Sequence, residues 1–145
     1  MGMAKVLSDK GRQVVTTTPE TLVPAAAQRL KDYKIGLLVV CKGEGEVVGV
    51  LSERDLVGAV ADGGEQISGM KVDALMTRDP ITCDMDDSPY GILHTMNREG
   101  FRHMPVLKDG KLKGLVSSRD VLKHLFELAD LGQATMRKLH DLGLY

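Results

Sequence analysis

The side chains best suited to chemistry occur in a short motif of serine, arginine and aspartate that the sequence repeats after 65 residues. An arginine beside the unpaired N–H groups at the start of a helix is suited to an anion such as phosphate. An aspartate can hold the diol of a ribose by accepting hydrogen bonds. Each copy therefore predicts a site for a ligand with both groups. The residues are Ser52, Arg54 and Asp55 in the first copy and Ser117, Arg119 and Asp120 in the second.

The same residues also fit a structural role as helix caps. In a capping box, Ser52 would accept a hydrogen bond from an early helix N–H, and Asp55 would accept one from the Ser52 N–H. Ser117 and Asp120 would do the same. An arginine in the first helical turn is mildly unfavourable in the field of the helix dipole, so its presence in both copies favours an anionic ligand. Both interpretations are open from sequence alone.

The repeat extends well beyond the motif, over roughly residues 11–62 and 79–127. A long internal repeat indicates two similar structural units that pack together with pseudo-twofold symmetry. The second copy is one residue shorter, in the turn between two paired strands, where a deletion is well tolerated. We predict a first domain at 8–66, a second at 76–132 and a helical tail at 133–145.

Each half of the sequence reads as strand, helix, strand, strand and helix, which predicts an α/β fold with a three-stranded sheet per half. The continuous apolar run 37–40 is typical of a strand buried on both faces. We expect residues 63–69 to be a polar linker and Asp87 or Ser88 to cap the helix that follows. The residues expected to face inward from the first long helix are Leu22, Ala25, Ala26, Leu30 and Tyr33.

Composition excludes several classes of protein. The net charge is −1, which argues against a strongly basic surface for nucleic acid. No apolar run is long enough to cross a membrane, and the two cysteines form no CxxC pair, so we expect a cytoplasmic protein with reduced thiols. The histidines have no partners at metal-ligand spacing, and we expect them at the surface or on helix faces. They are His94, His124 and His140.

The motifs together resemble a tandem pair of CBS domains, also called a Bateman module. The resemblance covers nearly the whole chain and rests on both glycine–aliphatic–serine–arginine–aspartate motifs, on residues 101–106 before the second hairpin and on residues 75–77 before the second repeat. It implies two CBS repeats with pseudo-twofold symmetry, and a flat homodimer formed through the helices.

The resemblance also implies a non-catalytic regulatory function. Members of this family bind adenine nucleotides in the cleft between the two repeats and signal energy or redox state to a partner protein. AMP is the leading expectation for this chain, with ADP, ATP, NAD(H) and S-adenosylmethionine as alternatives. The partners implied are an adenosine-containing small molecule, a second copy of the chain and an unknown effector protein.

The resemblance implies a crossed arrangement of the site residues, in which each motif meets residues of the other repeat. The first motif would meet Met76, Thr77, Cys83, Arg102, His103, Met104 and Pro105. The second motif would meet Val6, Leu7, Thr16, Thr17, Ile35, Gly36, Leu37 and Leu38. The first copy departs from the pattern, because 36–39 lack the basic pair of 102–103, and this weakens the expectation of phosphate binding there.

Two other functions remain as alternatives. The chain could be a structural homodimerisation module with degenerate clefts, or an enzyme that acts on the nucleotide. Catalysis has little support, because no carboxylate pair, metal cluster or nucleophile–base pair occurs at a useful spacing. Cys83 could serve as a nucleophile only with an activating base, for which His103 is a remote candidate.

Overall fold

The protein was studied as a computed structural model that describes residues 2–10, 14–129 and 133–143. It is a mixed α/β structure with two sheets, as predicted. The helices are α1 (Ala4–Lys10), α2 (Val23–Tyr33), α3 (Glu53–Ala61), α4 (Pro89–Glu99), α5 (Ser118–Leu128) and α6 (Gln133–Asp141). The strands are β1 (Thr16–Thr17), β2 (Leu37–Lys42), β3 (Glu46–Ser52), β4 (Thr77–Arg78), β5 (Cys83–Asp84), β6 (His103–Lys108) and β7 (Lys111–Ser117).

The chain forms two compact units that we call the first-repeat unit and the second-repeat unit. The first-repeat unit comprises Gln13–Ile81 and Lys108–Lys113, and the second-repeat unit comprises Met1–Arg12, Thr82–Leu107 and Gly114–Tyr145. These ranges differ from the predicted domains, because the N-terminal segment packs with the second repeat and residues 67–81 pack with the first. The limits of the repeats themselves, 8–66 and 76–132, stay a prediction.

The sheet of the first-repeat unit has four strands in the order β1-β2-β3-β4, one more than predicted. β1 is parallel to β2, and both β2 and β4 are antiparallel to β3. The extra strand arises because Thr77 and Arg78 pair with Val50 and Gly49. The predicted linker 63–69 is also more regular than expected, since Gly64–Gly69 forms a 3₁₀ helix.

The core of the first-repeat unit forms between the sheet and helix α2. β2 is fully buried at Leu38, Val39 and Val40, as its continuous apolar run predicted. Helix α2 buries Val23, Ala26 and Leu30. These β-branched and aliphatic side chains supply the apolar burial that aromatic residues, at 3% of the chain, cannot.

Three of the five residues predicted to face inward, Leu22, Ala25 and Tyr33, are exposed, so that part of the prediction was wrong. Ala25 is exposed because it is turned by about 100° around the helix from the buried Ala26. Leu22 is 46% exposed because the helix begins only at Val23, which leaves Leu22 as an extended N-cap residue. Tyr33 is 55% exposed at the last helical position, where its ring lies 5.7 Å from the Arg29 guanidinium carbon. An aromatic ring that contacts a cation can remain in water at little cost.

The second-repeat unit has a three-stranded sheet, β5-β6-β7, with β5 parallel to β6. Helix α1 completes its core: Met3 and Val6 are buried, and the Met3 N–H donates to the Met85 carbonyl at 2.7 Å. Helix α6 covers Gln133–Asp141 of the predicted tail.

Two expectations for the second-repeat unit held only in part. Ser88 is the N-cap residue of α4, but its side chain makes no capping hydrogen bond, and Asp87 instead accepts from the Asp84 N–H at 2.8 Å. His124 is 4% exposed and lies on the buried face of α5 with Val121 and Leu125, not at the surface.

Candidate functional site

Both copies of the motif form the capping box that the sequence predicted. The Ser52 N–H donates to Asp55 Oδ2 at 2.8 Å, and the Asp55 N–H donates to Ser52 Oγ at 3.1 Å. The corresponding distances for Ser117 and Asp120 are 2.9 Å and 3.1 Å. The cap holds serine and aspartate in the same geometry at the start of α3 and α5.

Capping leaves binding groups of the first motif available. Asp55 uses Oδ2 for the cap, and its Oδ1 has no hydrogen-bond partner among residues 2–10, 14–129 and 133–143. Arg54 is exposed and forms no ion pair with any residue in those ranges. One carboxylate oxygen and one guanidinium are therefore free to meet a ligand, so the cap is compatible with a binding role.

The glycine of each motif allows another segment to pack closely against the strand. A Cβ at Gly49 would lie 2.7 Å from Met76 Sδ and 2.8 Å from the Thr77 carbonyl oxygen. A Cβ at Gly114 would overlap Leu7 Cδ2. The structure thus places Met76 and Thr77 against the strand that leads to the first motif, and Leu7 against the strand that leads to the second.

A backbone hydrogen bond also links each motif to the residue just before the first strand of the hairpin in its own repeat, which is β2 in the first repeat and β6 in the second. The Glu53 N–H donates to the Gly36 carbonyl at 2.9 Å, and the Ser118 N–H donates to the Arg102 carbonyl at 2.8 Å. These two bonds are equivalent in the repeat. They bring the stretch 35–38 beside the first motif and 102–105 beside the second.

The predicted site residues divide between the two units as follows. The first-repeat unit contains Ser52, Arg54 and Asp55 with Thr16, Thr17, Ile35, Gly36, Leu37, Leu38, Met76 and Thr77. The second-repeat unit contains Ser117, Arg119 and Asp120 with Val6, Leu7, Cys83, Arg102, His103, Met104 and Pro105. The crossed arrangement implied by the resemblance stays a prediction.

Thr17 carries an unpaired polar atom inside the first-repeat unit. The residue is 5% exposed, and its Oγ1 has no hydrogen-bond partner in the part of the chain that the structure describes. Burying a hydroxyl without a partner costs free energy, so such an atom calls for an explanation. A ligand that hydrogen-bonds to Thr17 would provide one.

Sequence reasoning missed a groove beside Gly36, with a volume of about 480 Å³. Its lining residues are Ala27, Leu30, Lys31, Lys34, Ile35, Gly36, Glu53 and Leu56. No sequence signal pointed to it, because the lysines in the last turn and C-cap of α2 suit the helix dipole without any ligand.

Cys83 is unsuited to nucleophilic catalysis. Burial, with smaller contributions from the carboxylates of Asp87 and Asp84, raises the pKa of its thiol to about 12. The thiol donates to the Pro105 carbonyl at 3.6 Å. Because the thiolate is the reactive form, Cys83 is inert near neutral pH.

We expect Cys83 to resist alkylation in the folded protein while Cys41 reacts first. Cys41 is less buried, and burial raises the pKa of its thiol by a smaller amount. Labelling with a thiol reagent at pH 8, followed by mass spectrometry, measures both rates. Cys83 should label rapidly only in denaturant, and rapid native labelling at Cys83 would contradict this assignment.

Within the described ranges, no helix is both long and apolar enough to span a bilayer. The same residues contain no group of three or more His, Cys, Asp or Glu side chains that could hold a metal ion.

The family model for the CBS domain matches residues 9–62 and 72–127. This chain belongs to the CBS-domain family. A solved CBS-domain protein from Agrobacterium tumefaciens is 36% identical, with a TM-score of 0.78 over 86% of this chain and 98% of that one. The structure of CBSX2 in complex with AMP is 26% identical, with a TM-score of 0.70 over 80% of this chain and 90% of that one.

Among curated proteins, an uncharacterised 17.7 kDa protein from Acidianus ambivalens is 33% identical over 128 residues, which are 84% of this CBS pair and 76% of that protein. Three further curated relatives are longer, and the chain spans 58%, 35% and 39% of their lengths. The relatives therefore carry the CBS pair within chains of different size.

Proposed function

We propose that this CBS pair is a non-catalytic regulatory module that binds an adenine nucleotide, with AMP as the first choice. ADP, ATP and NAD(H) are the alternative ligands. The observation that carries the proposal is the buried, unpartnered hydroxyl of Thr17, since the family resemblance had assigned this residue to the site. The free carboxylate oxygen of Asp55 supports it with a ribose acceptor, and the exposed guanidinium of Arg54 places a cation in the same motif.

The comparisons support the ligand class. CBSX2, which shares the fold and 26% of its sequence with this chain, is described in complex with AMP. The regulatory role is supported by the inert thiol of Cys83, which removes the one nucleophile that the sequence had offered. In this proposal the nucleotide is a signal that returns unchanged to solution.

The direct test is to identify small molecules that co-purify with the protein from cells by mass spectrometry. Thermal shifts with AMP, ADP, ATP and NADH then rank the ligands. Unchanged nucleotide after long incubation would support the non-catalytic role. If no adenine compound shifts the melting temperature or binds by calorimetry, the proposed function is wrong.

Replacing Thr17 by valine should weaken nucleotide binding without destabilising the free protein. Valine has nearly the same shape, and the change removes a buried hydroxyl that has no protein partner, so the unfolding free energy should stay the same or rise. Calorimetry with AMP and thermal unfolding without ligand measure the two effects. Thr18→Val is the matched control, because that exposed hydroxyl already pairs with Thr21 Oγ1 at 2.7 Å. Unchanged AMP affinity in Thr17→Val would remove the main support for the proposal.

A structural homodimerisation module remains the second candidate. It is favoured by the capping boxes, which account for the serine and aspartate of both motifs without a ligand. Apolar side chains on the helices, such as Val57, Val60 and Tyr90, are more than 60% exposed and could be covered by a second copy. Light scattering tests the dimer, and nucleotide calorimetry on the same sample separates the two functions.

In the regulatory proposal, the nucleotide signal passes from this CBS pair to a separate effector protein.

A further inference from the structure

The two motifs differ in charge at two pairs of equivalent positions, 36/102 and 53/118, whereas Arg54 and Arg119 are common to both. In the first repeat, Gly36 accepts the hydrogen bond from Glu53, and in the second repeat Arg102 accepts the equivalent bond from Ser118. The two backbone bonds are 2.9 Å and 2.8 Å long, so the local geometry is the same. At these positions the first repeat therefore has the carboxylate of Glu53 and no basic side chain, whereas the second repeat has the guanidinium of Arg102 and no acidic side chain.

The acid of the first motif lies over the glycine. A Cβ at Gly36 would lie 3.2 Å from Glu53 Oε1 and 3.4 Å from its Cδ, and no other residue is among its three nearest atoms. The Glu53 side chain thus occupies the space into which an arginine side chain would begin to extend. A phosphate at this position would meet a carboxylate instead of a guanidinium, and like charges at contact distance repel.

Lys31 and Lys34 line the same groove but do not restore an arginine-like phosphate site. Both are exposed, and they lie on the last turn and C-cap of α2, near its carbonyl end. A compact ammonium on a flexible stem can offset the charge of Glu53, but it does not supply the planar pair of donors with which an arginine holds phosphate.

We infer that the two motifs select different ligands: the second accepts the 5′-phosphate of an adenine nucleotide, and the first accepts adenosine compounds that carry no phosphate there. This inference rests on the proposed function, and it pairs each motif with the stretch of its own repeat in place of the crossed set that the resemblance implied. Glu53 and Gly36 are the residues that determine the specificity of the first motif, and Arg102 and Ser118 determine that of the second. The chain would then respond to a phosphorylated and an unphosphorylated adenosine compound at separate sites.

The test is the stoichiometry of AMP binding by isothermal titration calorimetry. The wild-type chain should bind one AMP, and the double variant Gly36→Arg/Glu53→Ser, which carries the residues of the second motif, should bind two. The variant is sterically reasonable, because the closest atoms to a Cβ at Gly36 belong to the side chain that Glu53→Ser removes. The reciprocal variant Arg102→Gly/Ser118→Glu should lose its high-affinity AMP site and keep adenosine binding.

Two further measurements test whether the lysines hold the phosphate and whether the two motifs really differ in their affinity for AMP. Lys31→Gln/Lys34→Gln should leave the AMP stoichiometry at one, whereas a loss of AMP binding in this variant would show that the lysines hold the phosphate and would overturn the inference. Two equivalent AMP molecules per wild-type chain would also overturn it while leaving the proposed function intact. Absence of binding by AMP and adenosine to the wild type would overturn the inference, and absence of binding by ADP, ATP and NADH as well would refute the proposed function. Circular dichroism and the melting temperature confirm that each variant is folded.

Discussion

Replacing Asp55 and Asp120 together by alanine is expected to abolish the thermal shift that an adenine nucleotide produces. A ligand at 100 times its dissociation constant stabilises the folded state by about 2.7 kcal/mol. For a protein of this size that corresponds to a rise of roughly 5–10 °C in melting temperature. The double variant should lose this rise because both ribose acceptors are gone. Scanning fluorimetry with and without AMP measures the effect.

The same substitutions also break both helix caps, and this cost must be separated from the loss of binding. Each cap contributes about 1 kcal/mol, so the ligand-free melting temperature should fall by several degrees. Asp87→Ala is a matched control, because Asp87 also accepts a hydrogen bond from a backbone N–H, at 2.8 Å, outside either motif. That control should keep the full nucleotide shift.

A second double variant keeps the ribose hypothesis testable if the alanine double variant does not fold. Asp55→Asn/Asp120→Asn keeps an oxygen that can accept from the serine N–H, but it replaces the other acceptor of each side chain by a donor. It should stay closer to the wild type in stability and still bind nucleotide weakly. If either double variant is folded and shows the full shift with AMP, ATP and NADH, the ribose role of both aspartates is wrong.

Replacing Gly49 by alanine should destabilise the protein more than replacing Gly114 by alanine. At Gly49 the new methyl group would lie 2.8 Å from the Thr77 carbonyl oxygen, which is backbone of β4 and cannot rotate away. At Gly114 the closest atom is the end of the Leu7 side chain, which can adopt another rotamer. Overpacking of this kind costs about 1–3 kcal/mol, and we expect Gly49→Ala to lie at the upper end of that range.

Chemical denaturation of the two variants measures the difference in unfolding free energy. The double variant Leu7→Ala/Gly114→Ala tests whether overpacking causes the loss of stability, because alanine at position 7 removes the side-chain atoms that a methyl group at position 114 would overlap. It should be more stable than the sum of the two single changes predicts, because the residues are in contact. Equal destabilisation by Gly49→Ala and Gly114→Ala would show that the backbone of β4 does not limit the space at Gly49 more than the Leu7 side chain limits it at Gly114.

The boundaries of the two units show that hydrophobic patterns in the sequence do not predict which distant segments pack together. Hydrophobic periodicity predicted the buried strand β2 and two buried residues of α2, Ala26 and Leu30, because these patterns depend on residues close in the chain. The pairing of β4 with β3 and the packing of α1 in the second-repeat unit join segments that are far apart in sequence. Met3 and Val6 carry no local signal for that packing, although both are buried.

The sequence by itself determined the internal repeat, the α/β class, the capping boxes and membership of the CBS-domain family, since each depends on residue types at short, fixed spacings. Only the tertiary structure decided that the hydroxyl of Thr17 and the ring of His124 are buried, and that Glu53 covers Gly36. Burial and electrostatic environment depend on the segments that pack around a residue. In this protein the sequence already shows that the first copy lacks the basic pair of the second, but only the structure brings the Glu53 carboxylate against Gly36.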